Sequence, residues 1–285
     1  MAGAIAMETV HTVPELRQRL DAWRGAGETV GLVPTMGALH EGHLSLVRLS
    51  LAKTQRTCAS LFVNPKQFTP GEDYDVYPRD EAADAARFAA ERVDLLFAPA
   101  MDVMFPDDHV TTVAVPGLGD GLEGEFRPGF FTGVATAVAK LLLQALPDAA
   151  FFGEKDYQQL LVIRRMVRDL HIPVAIEAGP TVRETDGLAL SSRNAYLGAE
   201  QRATAPALHR TLLEVAERVA QGTDTEEAAA WGRAALLDAG FTEVDYVEVR
   251  DAATLAPAGA AAENPLRVLA AAHLGTTRLI DNVAV

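Results

Sequence analysis

The sequence contains 285 residues, of which 49% are hydrophobic and 22% are charged, with Gly 22 and Pro 15. This composition excludes a disordered, collagen-like or linker-dominated chain, and the length favours about two domains. The formal net charge of −14 disfavours binding to nucleic acid, which requires clustered Lys and Arg side chains. No run of 18 apolar residues is present, so we expect neither a transmembrane helix nor a membrane partner.

The single cysteine, Cys58, excludes an intramolecular disulfide and is typical of a reducing compartment. No basic residue precedes the short apolar run of residues 1–7, which argues against a signal peptide. We therefore expect a cytoplasmic protein. Because Cys58 lies within the apolar stretch of residues 57–63, we interpret it as a buried structural thiol rather than a nucleophile.

Over the first two thirds of the chain, short apolar strands alternate with amphipathic helices. Helices are predicted at residues 14–25, from 43 onward, at 79–92, from 132 or 133 to 146, and at 157–170. Strands are predicted at residues 29–33, 57–63, 94–98, 149–152 and 174–178, the first of them ended by Pro34. This alternation predicts an α/β fold with a Rossmann-like, doubly wound parallel sheet. Such sheets bind ligands at the carboxyl ends of their strands.

The remainder of the chain has a different pattern. Two Ala-rich helices are predicted at residues 199–221 and 225–239, followed by strands at 243–249, 266–271 and 277–283. Because the pattern changes near Thr181, we predict a larger domain over residues 1–181 and a smaller α+β domain over residues 182–285. The Ala- and Pro-rich stretch of residues 252–263 is expected to be a surface loop.

The first motif that carries chemistry lies between the first predicted strand and the next helix. In PTMGALHEGH (34–43), His40 and His43 are three residues apart and share one side of a helix N-terminus. Free backbone N–H groups and the helix dipole favour phosphate there, and Gly37 and Gly42 permit close approach of a ligand. An imidazole can then donate a proton to a developing oxyanion or stabilise it. The alternatives are two surface histidines, or a metal pair for which no third His or Cys lies nearby.

A second motif, GEKDYQQ (153–159), again follows a predicted strand and begins a helix. Lys155 is one of only four lysines in the chain, and a mobile cation at a helix start suits phosphate oxygens. Asp156 followed by Gln159 is also a near-match to a capping box, which would use both side chains in helix initiation. Both interpretations stay open at this point.

Two further polar segments are candidate ligand contacts. In NPKQF (64–68), the amides of Asn64 and Gln67 suit hydroxyl groups or a carboxylate, although Asn-Pro is also typical of an ordinary turn. In LSSRN (190–194), two hydroxyls beside the guanidinium of Arg193 form a candidate phosphate clamp. The alternative for this segment is a polar turn before a helix.

Taken together and in order, these segments resemble the pantoate–β-alanine ligase family, which belongs to the nucleotidyltransferase superfamily with the His-x-Gly-His signature. The matching segments are PTMGALHEGH (34–43), FVNPKQF (62–68), YPRD (77–80), EFRPGFFTGVAT (125–136), FFGEKDYQQL (151–160) and TVRETDGLALSSRNAYL (181–197). A lone His-x-Gly-His would be weak evidence, whereas the ordered set is highly specific.

The resemblance implies an ATP-dependent ligase. In that reaction the carboxylate of pantoate attacks the α-phosphate of ATP, giving pantoyl adenylate and pyrophosphate. The amine of β-alanine then attacks the activated acyl carbon, giving pantothenate and AMP. The resemblance also implies that residues 1–181 bind ATP and pantoate, that residues 182–285 close over the active site, and that the chain forms a homodimer.

Residue roles follow from the same resemblance. His43 is the expected catalytic proton donor, with His40 and Lys155 as the other catalytic residues. Contacts to ATP are expected from Met36, Gly37, Ala38, Leu39, His40, Glu41, Gly42, His43, Gly153, Glu154, Lys155, Asp156, Val182, Leu190, Ser191, Ser192 and Arg193.

The family pattern also supplies the acceptor and metal positions. Gln67 is expected to bind pantoate and to help receive β-alanine, while Gln159 holds the pantoate hydroxyls. Asn64 and Arg127 match active-site positions. ATP chemistry implies Mg²⁺, and Asp84 has the position expected to associate with it, or Mg²⁺ is held mainly by phosphates and water.

Two features depart from the family pattern. The family usually reads Arg-Pro-Gly-His-Phe, whereas this chain has Phe130 in place of the His. The acidic group of Asp80, Glu81 and Asp84 contains fewer acids than in some relatives. Acids in the first turn of a helix are also common simply because they interact favourably with the helix dipole.

Two other functions stay open from the sequence. A nucleotidyltransferase that adenylylates a phosphorylated acceptor, such as phosphopantetheine, would need a basic acceptor pocket, and the neutral Gln67 and Gln159 argue against it. A catalytically silent nucleotide-binding protein need not retain both histidines and Lys155.

Overall fold

The computed structural model describes residues 7–69, 72, 74–258 and 264–285. The larger of its two sheets has six strands, all paired in parallel: β1 (Glu8–Val10), β2 (Val30–Thr35), β3 (Arg56–Leu61), β4 (Leu95–Phe97), β5 (Ala149–Gly153) and β6 (Ala175–Gly179). Their order across the sheet is β1-β4-β3-β2-β5-β6. The chain therefore winds outward in two directions, and the order reverses between β2 and β5.

Helices cover both faces of this sheet. They are α1 (Val13–Gly25), α2 (Glu41–Lys53), α3 (Glu81–Ala90), α4 (Met101–Met104), α5 (Glu123–Phe126), α6 (Phe130–Ala145) and α7 (Tyr157–Asp169). Successive residues of a buried strand point to opposite faces. Leu32 and Phe152 therefore pack with α1, α6 and α7, whereas their neighbours Val33 and Phe151 pack with α2 and α3. This arrangement confirms the predicted doubly wound parallel sheet.

The smaller sheet is antiparallel and follows α8 (Ala199–Thr204), α9 (Ala207–Ala220) and α10 (Thr225–Asp238). Its strands, in order, are β7 (Glu243–Asp251), β8 (Leu266–Leu274) and β9 (Thr277–Ala284). One face packs against α9 and α10. The other face adds Tyr246, Leu269 and Ala271 to the core beneath α6 and α7. The predicted α+β character is confirmed, while the domain boundary near Thr181 stays a prediction because the two sheets share this core.

The helix predicted over residues 199–221 is in fact two helices, α8 and α9. Pro206 lies between them, and proline lacks the N–H that would continue the helical hydrogen bonds. β1, α4 and α5 have only three or four residues each, which is too few to produce a periodic pattern in the sequence.

The predicted end of the first strand at Pro34 is wrong, because β2 continues to Thr35. Pro34 is in register with Ser60 of β3, whereas β5 pairs with β2 only at Gly31 and Leu32. The carboxyl end of β2 is therefore paired on one side only, where a proline is tolerated. The unpaired side opens the sheet between β2 and β5.

Other expectations concern the surface and the termini. Cys58 is buried, as predicted, and burial raises the pKa of its thiol to about 12. No helix in the described ranges is long and apolar enough to cross a membrane. Residues 1–6 of the N-terminal run and residues 259–263 of the predicted loop at 252–263 lie outside the described residues.

Gly133 lets α6 contact the 3₁₀ turn of Pro65–Gln67. A Cβ on Gly133 would lie 1.8 Å from the carbonyl oxygen of Lys66, a backbone atom that cannot rotate away. We expect Gly133→Ala to lower the free energy of unfolding by about 1–3 kcal/mol or more, measured by urea denaturation. The control is Gly25→Ala, whose Cβ meets no described atom within 4 Å, and it should be neutral or slightly stabilising. Equal stabilities of the two variants would contradict this packing.

Candidate active site

A large cleft lies where the strand order reverses, at the carboxyl ends of β2 and β5. Its volume is about 910 Å³, and residues of both sheets line it. A reversal in strand order leaves a crevice because the connections on its two sides leave the sheet on opposite faces. The predicted location of the ligand site is therefore the location of this cavity.

The N-terminus of α2 presents two imidazoles to the cavity. His40 is the N-cap residue, and its Nδ1 accepts a hydrogen bond from the backbone N–H of Gly42 at 3.2 Å. The Nδ1 atom of His43 accepts a hydrogen bond from the backbone N–H of His40, also at 3.2 Å. The two rings stack with their centroids 4.1 Å apart. The histidines thus form a capping box in which imidazole nitrogens replace the usual oxygens.

These hydrogen bonds determine which ring nitrogen carries the proton. A backbone N–H can only donate, so Nδ1 of each ring must be an unprotonated acceptor. The proton of the neutral ring is therefore on Nε2 in both His40 and His43. The Nε2–H of each imidazole makes no hydrogen bond to another described residue.

Both imidazoles are neutral at pH 7. Burial and the nearby positive charge of Lys155 lower the pKa of His40 to about 4, with a lesser contribution from Arg87, while the charge of Asp156 acts in the opposite direction. Burial, His40, Lys155 and Arg87 together lower the pKa of His43 to about 3. The pair therefore offers hydrogen bonds to a ligand without carrying a formal charge.

The loop before His40 is held by α3. The carboxylate of Asp84 is buried and accepts hydrogen bonds from the backbone N–H groups of Ala38 and Leu39, both at 3.0 Å. Arg87, one turn further along α3, donates to the carbonyl of Leu39. Gly37 and Ala38 have φ values of +87° and +50°, a left-handed conformation that turns these N–H groups inward toward the carboxylate.

The carboxyl end of β3 leads into a turn that orients Gln67. Asn64 is buried, and its side-chain oxygen accepts from the backbone N–H of Lys66 at 3.2 Å. Its Nδ2 donates to the carbonyl of Gly133 at 3.1 Å and to Oε1 of Gln67 at 2.8 Å. Because the backbone partners fix the orientation of the Asn64 amide, the Gln67 atom facing it must be the oxygen. The NH₂ group of Gln67 is therefore the end of that side chain that remains available to a ligand.

Arg127 supports the same turn. Its guanidinium forms a two-point ion pair with Glu72, with N···O distances of 2.6 and 2.8 Å, and donates to the carbonyl of Gln67 at 3.0 Å. It stacks 3.7 Å from the centroid of Phe130, the position at which the family resemblance predicted a histidine. Burial alone would raise the pKa of Glu72, but the hydrogen bonds and charge of Arg127 hold that pKa below its usual value. The positive charge of Arg127 is therefore balanced by Glu72 within the protein.

The 3₁₀ turn of Glu154–Asp156 follows β5 and carries Lys155. The Lys155 ammonium lies 3.6 Å from the carboxylate of Asp156 at the cavity wall. Among the described residues Asp156 makes no side-chain hydrogen bond that caps α7, so the capping box considered for Asp156 and Gln159 does not form. Gln159 lines the cavity, and no hydrogen bond joins its side chain to any other residue in the described ranges.

The neighbouring Gln158 is structural. It is buried, and its NH₂ group donates to the carbonyls of Leu118 and Gly121, both at 2.8 Å. Its oxygen accepts from the backbone N–H of Glu123 at 3.2 Å. Adjacent glutamines therefore have opposite surroundings, a difference that the sequence did not reveal.

The segment after β6 closes the opposite wall. Val182 and Leu190 are joined by a backbone hydrogen bond at 3.0 Å, which closes a short hairpin. Ser191 then caps the 3₁₀ helix Ser192–Tyr196, with its Oγ accepting from the N–H of Arg193 at 3.3 Å. The segment of the predicted clamp is therefore a polar turn that begins a helix, while its role as a phosphate clamp stays a prediction.

Most of the predicted site residues meet at this one cavity. They are Met36, His40, Gly42, His43, Asn64, Gln67, Arg127, Gly153, Lys155, Asp156, Gln159, Val182, Leu190, Ser191, Ser192 and Arg193. The remaining predicted positions, Gly37, Ala38, Leu39, Glu41, Asp84 and Glu154, are not among the described residues that line it. Within the described ranges no group of three His, Cys, Asp or Glu side chains is placed to hold a metal ion.

Comparison with known proteins agrees with this geometry. The chain is 55% identical over 280 residues to pantothenate synthetase of Rhodospirillum rubrum, covering 98% of this chain and 99% of the relative. It is 57% identical over 280 residues to pantothenate synthetase of Paramagnetospirillum magneticum, with 98% of each chain covered.

Solved structures give the same result. A crystal structure of pantothenate synthetase from Thermus thermophilus superposes with a TM-score of 0.91 at 49% identity, covering 97% of this chain and 99% of that one. Pantoate-β-alanine ligase from Francisella tularensis, complexed with β-γ ATP and β-alanine, superposes with a TM-score of 0.82 at 31% identity and 98% coverage of each chain. The pantoate-β-alanine ligase family model matches residues 8–284, and the chain belongs to that family.

Proposed function

We propose that this protein condenses pantoate with β-alanine in an ATP-dependent reaction that passes through pantoyl adenylate. The observation that carries the proposal is that one cavity contains hydrogen-bond donors suited to phosphate groups and others suited to a carboxylate. His40 and His43, whose Nε2–H groups are the available donors, line the cavity together with Lys155 and Gln67.

The first step needs stabilisation of negative charge. As the pantoate carboxylate attacks the α-phosphorus, charge develops on the phosphoryl oxygens and on the departing pyrophosphate. Donors that are already oriented toward those oxygens lower the barrier, because they need not reorganise during the reaction. We assign stabilisation of the phosphoryl oxygens to the Nε2–H groups of His40 and His43. We assign stabilisation of the charge on the departing pyrophosphate to Lys155.

We assign His43 the role of a hydrogen-bond donor, in place of the proton donor expected from the sequence. A catalytic proton donor should hold an acidic proton at working pH, whereas the pKa of His43 is lowered to about 3. The neutral ring is a hydrogen-bond donor with its proton on Nε2. Neither the attack nor the departure of pyrophosphate requires a proton from the enzyme, so this chemistry balances without one.

Pantoate is an acceptor with hydroxyls and one carboxylate, and neutral amides suit both groups. Gln67 offers an N–H to the carboxylate, and Gln159 has an amide that no described residue occupies. The guanidinium of Arg127, which also lines the cavity, is paired with the carboxylate of Glu72. This distribution favours pantoate over a phosphorylated acceptor, which would need unpaired positive charge.

We propose that Mg²⁺ enters with ATP. Both oxygens of Asp84 already accept backbone N–H groups, and no group of three His, Cys, Asp or Glu side chains in the described ranges is placed to hold a metal ion. The phosphates and water are sufficient ligands for this ion. We also propose a cytoplasmic homodimer: the buried reduced thiol of Cys58 supports the compartment, and the family resemblance supports the dimer.

The proposed function predicts pantoate-dependent exchange of labelled pyrophosphate into ATP in the absence of β-alanine. Exchange reports reversible formation of the adenylate, so it should be absent without pantoate. Exchange driven by phosphopantetheine, or ATP binding without any exchange, would contradict the proposal and support a nucleotidyltransferase or a silent binding protein.

The matched variant for this assay is His43→Ala. Loss of an oriented donor should reduce exchange about 10²–10³-fold, while loss of the cap should cost only about 1 kcal/mol of stability. Exchange above about a tenth of wild type would remove His43 from the reaction.

Gln159→Glu separates ligand binding from helix structure. The substitution places a carboxylate near that of pantoate and removes the amide donor, so we expect the pantoate-dependent exchange to fall at least about tenfold. The melting temperature should match wild type, because Gln159 makes no hydrogen bond within the described chain. The control, Gln158→Glu, should show the reverse: it loses two buried donors and should be destabilised by about 1–3 kcal/mol. Near-normal exchange in Gln159→Glu would contradict a role for Gln159 in binding pantoate.

A further inference from the structure

The end of β9 contacts the turn that carries Lys155. Asn282 of β9 is buried, with a 5% exposed surface, although it lies more than a hundred residues beyond that turn in the sequence. Its Nδ2 donates hydrogen bonds to the carbonyl oxygens of Glu154 and Lys155, at 3.0 and 2.9 Å. A single side chain from the smaller sheet therefore binds two consecutive peptide groups of the 3₁₀ turn after β5.

The orientation of the Asn282 amide is fixed by its partners. The Nη1 atom of Arg267 donates to its Oδ1 at 2.6 Å, and a guanidinium can only donate. The opposite end of the amide must therefore be the NH₂ group, which faces the two carbonyls. Arg267 itself stacks 3.8 Å from the centroid of the Tyr157 ring at the start of α7, so the cation that orients the amide is itself held in place.

The preceding residue of β9 holds the opposite wall of the cavity. Asp281 forms a two-point ion pair with Arg183, with distances of 2.6 and 2.9 Å. Arg183 belongs to the hairpin that leads to Ser191 and Arg193. Two adjacent residues of one strand thus connect the Lys155 turn with the hydroxyl-rich segment across the cavity.

We infer that Asn282 is a positioning residue that sets the place of the Lys155 ammonium through the backbone of the 3₁₀ turn. Asn282 holds the main chain on both sides of the Lys155 Cα. These contacts restrict the positions that the flexible side chain of Lys155 reaches. This inference rests on the proposed function only in assigning ATP phosphates to Lys155. A cation that is held in place loses less conformational entropy when it binds phosphate.

The test measures ATP binding directly by calorimetry, without pantoate or β-alanine. Asn282→Ala should weaken ATP binding about tenfold, because the turn loses two hydrogen bonds that hold Lys155. In a Lys155→Ala background the same substitution should have less than about a twofold effect, because the residue through which Asn282 acts is absent. Equal effects of Asn282→Ala in the two backgrounds would overturn the inference.

Two further variants separate positioning from general stability. Val215→Ala in α9 removes buried apolar volume from the C-terminal core without touching the turn, and it should leave ATP affinity within about twofold of wild type. Asn282→Ser keeps one hydrogen-bond donor at lower risk to folding, and it should lose about threefold in ATP affinity. Wild-type affinity in Asn282→Ser and Asn282→Ala, or a loss in Val215→Ala equal to theirs, would overturn the positioning role.

The outcome is distinguishable from failure of the proposed function. If the wild-type protein binds ATP but shows no pantoate-dependent exchange, the proposed function fails while the coupling between Asn282 and Lys155 can still be measured. If exchange is normal in wild type and the double-mutant cycle shows no coupling, only the inference about Asn282 fails.

Discussion

The hydrogen bond from the backbone N–H of His40 to Nδ1 of His43 is the constraint on which the site depends. It satisfies one of the N–H groups that a helix start leaves without a partner. It also fixes the proton of His43 on Nε2, where the ring faces the cavity. One interaction therefore begins α2 and specifies the donor that the ligand meets. A side chain with only oxygen acceptors at this position would cap the helix equally well but would present no donor.

Uncharged hydrogen-bond donors allow this negatively charged protein to bind anionic ligands. The reaction that we propose involves several anionic groups, and the protein itself has a formal charge of −14. Local geometry decides the binding, because helix N-termini, imidazole N–H groups and amides bind anions without formal charge. The same principle explains the acceptor side, where Glu72 neutralises Arg127 and leaves the amide of Gln67 to define the pocket.

The sequence predicted the layers and the location of the site because these depend on periodicity and on the carboxyl ends of parallel strands. It did not reveal contacts between residues that are far apart in the chain, nor the exact geometry of turns. Asp84, the acid expected to associate with Mg²⁺, binds the loop before His40, some 45 residues away, and no local pattern indicated that contact. Asp156 and Gln159 have capping-box spacing, but after the 3₁₀ turn the Asp156 side chain does not cap α7. Asn282 carries no local signal at all, since its partners are the main chain of a turn in the other half of the protein.

The central claim is that His43 is a neutral Nε2–H donor, and nuclear magnetic resonance tests it most directly. Long-range ¹H–¹⁵N spectra of protein labelled at histidine distinguish the two tautomers from the charged ring, and a His43→Gln variant assigns the signal. We predict that His43 shows the neutral Nε2–H form from about pH 5 to about pH 8, because its pKa is lowered far below the usual value of about 6.5. A His43 signal that titrates near pH 6.5, or that shows the proton on Nδ1, would contradict the account.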